Sequence, residues 1–102
     1  MRFIETPILT EDELSLDEYR QMQVALMLRP EQGAVIQGSG GLRKIRWRRA
    51  GMGKRGGLRA IYYWEPKSEV FYMLTVYRKS KQEDLSPGQL RVLRRLVAEE
   101  FK

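Results

Sequence analysis

A chain of 102 residues carries 19 lysines and arginines against 13 acids, a net charge of +6, with neither cysteine nor histidine. That length predicts one domain over 1–102 with a single modest core, too small for a two-domain catalytic cleft, and an apolar share of 42% argues against disorder. The absent residue types exclude disulfides, thiolate chemistry, the commonest metal ligands and the commonest general base, and nothing resembles a signal peptide or the roughly 20 apolar residues of a membrane helix. A cytoplasmic protein without membrane contact, metal or cofactor is expected.

Arg2–Ile4 reads as a short edge strand ended near Pro7. Two capping-box spacings follow, Thr10 with Glu13 and Ser15 with Glu18. They predict a helix from about 15 to 28 whose inner face carries Leu14, Tyr19, Met22 and Leu26, stopped by Pro30. Residues 30–41, PEQGAVIQGSGG, form an ordered connector. From Leu42 to Arg49 the pattern alternates, with Ile45 and Trp47 on one side and Lys44, Arg46 and Arg48 on the other, the period of a strand with one buried and one cationic face. RRAGMGKRGG is a turn. Leu58–Trp64 is apolar on both faces and so belongs in the middle of a sheet. Glu65–Ser68 is a hairpin turn, and Glu69–Arg78 a further strand. Ser86, Pro87 at the first helical position and Gln89 open a last helix with the apolar stripe Leu90, Leu93, Val97 and Phe101. The sum is an α+β fold, β-α-β-β-β-α, with an antiparallel meander sheet, helices packed on one face and a basic face opposite.

The charge is concentrated. Residues 1–40 hold three cations and seven acids, 41–60 hold eight cations and no acid, and 61–102 hold eight cations and six acids. An acid-free block of that density projects a local positive potential. Its natural partner is a polyanion, nucleic acid first; the alternative is a solvated face without function. Lys44 and Arg46 share a strand face roughly 7 Å apart. Arg59 lies on the neighbouring strand if the hairpin forms, and Arg78 and Lys79 end the next one. A strand arginine in apolar company either pairs with an acid such as Glu65 or Glu69, or aims its planar fork at a phosphate. Gly53, Gly56 and Gly57 serve a turn and not a phosphate-binding P-loop, since the spacing is wrong and no Ser or Thr follows Lys54.

GSGGLRKIRW, GKRGGLRAIYYW, FYMLTVYRK and DLSPGQL, in that order over roughly residues 15–100, resemble the RelE/ParE superfamily of toxins. The likeness is closer to its HigB branch, in which GGLRK, GKRGG and YY motifs recur. It implies a RelE-like fold and a ribosome-dependent endoribonuclease, an mRNA interferase that cuts messenger RNA in the decoding site. It also implies a cognate antitoxin, HigA-like with a helix-turn-helix module, through which alone operator DNA is contacted. The ribosome and messenger RNA complete the implied partners. By position, Lys44 and Arg46 match the paired basic residues of the first meander strand, and Arg59 the strand arginine after the turn. Arg78 or Lys79 matches the basic position ending the last strand. These are the expected catalytic residues. Arg43, Arg48, Arg49, Lys54 and Arg55 are the expected phosphate anchors to ribosomal RNA. The family's tyrosine after the last strand is missing: the region reads Glu83, Asp84, Leu85, and Tyr77 either packs in the sheet, the first expectation, or substitutes for it.

Two other classes stay open. ParE-like members inhibit DNA gyrase by protein contact without catalysis. A plain RNA-binding module would grip phosphate with the same cations and stack bases on Trp47 and the Tyr62-Tyr63-Trp64 run. Fold alone does not choose among them.

Overall fold

The structure, a computed structural model, describes residues 1–6, 15–47, 57–79, 81–82 and 84–100. Its elements are β1 (Arg2–Glu5), α1 (Leu16–Leu28), β2 (Ala34–Val35), β3 (Arg43–Trp47), β4 (Leu58–Glu65), β5 (Val70–Arg78) and α2 (Pro87–Glu100). The strands form one five-stranded mixed sheet in the order β1-β5-β4-β3-β2. Strands β2 to β5 run as an antiparallel meander, and β1 joins the edge parallel to β5. The central place of β4 is what its apolar residues on both faces predict. β2 sits inside the stretch read as a connector; at two residues it is too short for a strand period to register.

The helix ends follow their local chemistry. Ser15 Oγ accepts from the Glu18 N–H at 3.1 Å while the Ser15 N–H donates to Glu18 Oε1 at 3.1 Å, closing the capping box of α1. Ser86 and Gln89 make the same reciprocal pair at α2, at 2.9 and 3.1 Å. The second expected box, Thr10 with Glu13, together with Leu14 and Phe101, lies outside the described residues. Tyr19 on α1 donates its hydroxyl to Glu5 Oε1 of β1 at 2.6 Å, and burial first, then this carboxylate, pushes its phenol well above the usual range.

The two helices do not share a face of the sheet. Met22 and Leu26 of α1 pack against Ile45, Leu58, Ala60 and Tyr62, whereas Leu93 and Val97 of α2 pack against Leu42, Ile61 and Leu74. The expectation of both helices on one side and a basic face opposite is therefore corrected. Alternation along β4 gives the reason: Leu58, Ala60 and Tyr62 point one way and Ile61 and Tyr63 the other. A central strand apolar on both faces needs a cover on each, and a pair of helices on one side would leave Ile61 and Leu74 in water. The cationic residues of β3 must then share a face with one helix.

The connector is pinned by one phenol. Tyr62, fully buried on β4, donates to the Pro30 carbonyl at 2.7 Å and accepts from the Gly33 N–H at 3.0 Å. Arg43 adds donations to the carbonyls of Glu31 at 2.9 Å and Gly33 at 2.8 Å. Gly33 is packed so tightly that an added Cβ would stand 2.8 Å from the Tyr62 ring. Tyr62→Phe leaves a buried N–H and a part-buried C=O without their partner, and should lower stability by about 1–3 kcal/mol in urea denaturation. A loss of no more than a few tenths of a kcal/mol would show that the connector is held by other contacts.

Candidate functional site

Register across the sheet brings the cations together. Arg46 of β3 pairs with Arg59 of β4, and Arg59 pairs with Tyr77 of β5, so the three form one row. The next row is Lys44, Ile61 and Thr75. Directly opposed side chains on one face stand roughly 5 Å apart at Cβ. Lys44 and Arg46 alternate with Ile45, which faces α1, so they lie with Leu42 and Ile61 on the α2 side. The N-terminal end of α2 borders this region: Lys44, Tyr77, Asp84, Leu85, Leu90 and residues 34–37, in and just after β2, line a cleft of about 280 Å³. A second, more apolar hollow of about 360 Å³ lies on the other side of Tyr77 and Leu85, toward Gln89 and Val92 of α2.

Arg59 is a buried guanidinium, 6% exposed, with Nη1 donating to the Leu58 carbonyl at 3.3 Å. Neither acid considered from sequence is its partner. Glu65 lies six residues along the strand, roughly 20 Å away, where its Oε1 accepts from the Lys67 N–H, and Glu69 sits in the turn beyond at φ +55°. A buried guanidinium facing a second one is unfavourable unless an anion compensates. Among the described residues the carboxylate in contact with this array is Asp84, from the loop between β5 and α2, and its partner there is Lys44. Lys44 Nζ donates to its Oδ1 at 2.6 Å. Lys44, through the hydrogen bond and its charge, holds the Asp84 carboxyl below the usual carboxylate range, and Arg59 and Arg46 add to the effect in that order. One carboxylate thus lies in the field of all three cations.

The expected site residues divide. Lys44, Arg46 and Arg59 come together, and Tyr77 joins them half-buried in the same row. Arg78 is in register with Leu58, which faces α1, so it stands on the other side of the sheet. Lys79 is exposed just past the end of β5, its N–H donating to the Gly57 carbonyl at 3.1 Å. Arg43 also lies on the α1 side, engaged with the connector carbonyls. Arg48, Arg49, Lys54 and Arg55 lie outside the described residues. The aromatic run is packed: Tyr62 is fully buried, Trp47 and Trp64 lean on the α1-side core and Tyr63 on the α2-side core. Asp84 was not singled out by sequence reading. Its contact with Lys44 spans 40 positions, and no local pattern reports such a separation.

Two comparisons bear on identity. A family model described as the RelE toxin of the RelE/RelB toxin–antitoxin system matches residues 21–102. The chain belongs to the RelE toxin family. A solved structure of a mutant E. coli toxin RelE in the free state is similar at a TM-score of 0.55 and 17% identity, covering 79% of this chain and 85% of that one. That likeness shows a shared α+β fold with two helices and a mixed sheet in this toxin. An antitoxin is the partner that membership of this family implies. Among the described residues no helix is long and apolar enough to cross a membrane, and no group of three His, Cys, Asp or Glu side chains could hold a metal ion.

The lowered Asp84 value sets a sign for acid behaviour. A depressed carboxyl contributes stability that is present above the ordinary aspartate range and lost as pH falls through the depressed value. Melting temperatures of the wild-type toxin and Asp84→Asn should therefore differ at neutral pH and converge in acid below the usual carboxylate range. A difference that stays constant with pH would remove the Asp84 charge from the account.

Proposed function

We propose that this toxin is a ribosome-dependent messenger-RNA endoribonuclease of the HigB type, a single toxin domain over 1–102 acting in the cytoplasm. The reading is supported above all by the cross-strand array of Lys44, Arg46 and Arg59, which strand register holds together beside a cleft that Lys44 lines. Messenger RNA in the ribosomal A site is the substrate. The 2′-hydroxyl attacks the adjacent phosphate, the bond to the 5′ oxygen breaks, and a 2′,3′-cyclic phosphate and a free 5′-hydroxyl result, without metal or cofactor. Lys44 helps to remove the 2′ proton. Arg46 and Arg59 bind the charge that develops on the phosphorane, where preorganised donors are worth most. Either Lys79, at the end of β5, or Tyr77 supplies the proton to the leaving oxygen; Tyr77 is the better placed, standing in register with Arg59. Arg48, Arg49, Lys54 and Arg55 hold ribosomal RNA through phosphates. The antitoxin is HigA-like, with a helix-turn-helix module that alone reads operator DNA.

Translation of a defined messenger RNA in a purified cell-free system, followed by primer extension, tests the reading. Cuts are expected only on translated RNA, at a fixed place in the reading frame, with naked RNA intact. Arg46→Ala and Arg59→Ala should each reduce cleavage on the order of 10²–10³-fold, with Arg59→Lys as the variant that keeps the buried charge. Wild-type cleavage by Arg59→Ala would overturn the site. Intact RNA in both lanes, with inhibition of gyrase supercoiling, would replace the nuclease by the ParE-like activity.

Replacing Lys54 and Arg55 together by Ala should weaken ribosome binding and flatten its dependence on log salt by about 1–2. An unchanged slope would place both outside the ribosome contact.

A further inference from the structure

The cation array of this toxin already holds an anion of its own. Asp84 extends from the loop between β5 and α2 with its side chain 72% exposed, while its Oδ1 accepts from Lys44, which is only 22% exposed. The loop is steadied by Gln82, whose Nε2 donates to the Asp84 carbonyl at 3.3 Å and to Gln89 Oε1 at 3.2 Å. None of these contacts belongs to either apolar core. The carboxylate can therefore swing out without disturbing the packing. Its chemistry is that of a phosphodiester reduced to its recognised part: one negative charge spread over two oxygens, met by a lysine beside two arginines.

We propose that Asp84 is a built-in placeholder, occupying the phosphate position of the free toxin until an RNA phosphodiester displaces it. The inference rests on the reading above that Lys44, Arg46 and Arg59 bind the scissile phosphate. Without an anion the three cations repel one another and the buried Arg59 lacks compensation. With Asp84 in place the array stays assembled on the strands, and an incoming phosphate exchanges one anion for another. Such exchange lowers the affinity for isolated RNA phosphate. It reserves engagement for RNA held by further contacts, where effective concentration is high.

Binding alone tests this. The probe is a labelled trinucleotide with 2′-deoxy sugars, which cannot be cleaved, read by fluorescence anisotropy at fixed salt. Asp84→Asn should bind it roughly two- to fivefold more tightly than wild type, the range of an exposed ion pair. Glu65→Gln removes the same charge from the far end of β4 and should bind as wild type does. In a Lys44→Ala background the gain from Asp84→Asn should fall away, because the pair no longer exists. Asp84→Asn binding no tighter than wild type, an equal gain in Glu65→Gln, a gain that persists without Lys44, or no measurable binding by any variant would each overturn the placeholder. Asp84 is exposed and outside both cores, and circular dichroism checks that Asp84→Asn is folded. The assay needs neither ribosome nor cleavage. A toxin inert on translated RNA would sink the nuclease reading and leave this test standing.

Discussion

Strand β4 must be dry on both faces, and most of the molecule is arranged around that requirement. Leu58, Ala60 and Tyr62 on one side and Ile61 on the other are all buried. Each face then needs its own cover, so α1 and α2 are forced to opposite sides. The same strand carries Arg59 between Leu58 and Ala60. Its alternation puts the guanidinium on the α2 side, and burial strips it of solvent.

A buried charge needs compensation or a task. On β3, facing Arg59, the chain offers another arginine, which worsens the electrostatics in the free protein. An anionic ligand is one way to resolve such an arrangement. Asp84 resolves it in part, from a loop and not from the sheet. The strands hold the cations; the anion stands on an exposed side chain of the loop between β5 and α2, outside both cores.

The connector shows how a small core can still impose order. Tyr62 reaches through the α1-side core to bond Pro30 and Gly33, and Arg43 bonds the carbonyls beside them. Two side chains with polar tips thus replace the ladder that a longer β2 would provide. One consequence concerns reading charge from sequence: Arg43 belongs to the cationic block by position, but its guanidinium braces a loop on the side away from Lys44 and Arg46. At 17% identity to E. coli RelE the fold is retained, as expected when pattern and volume are kept and individual residues are not.

Much of the fold was legible in the sequence because local physics carries it. Ser15 with Glu18 and Ser86 with Gln89 write the helix starts within four residues. The alternation of 42–47 and the apolar residues on both faces of 58–64, interrupted only by Arg59, distinguish a half-covered strand from a central one. Lys44, Arg46 and Arg59 could be picked out because strand period and hairpin register are short-range. The sides taken by the helices could not. An amphipathic helix reports that it has an inner face, but not which face of the sheet receives it; that depends on the chain's crossovers and on what remains exposed after the first helix packs. The same limit hid Arg78, whose side is set by a register shift between β4 and β5 near Ile61, and Asp84, brought to Lys44 across 40 residues. The sequence by itself determined the elements and the cation-rich strand pair, because these obey periods of two to four residues. Only the tertiary structure decided which charge stands beside which, because that is settled by packing between segments distant along the chain.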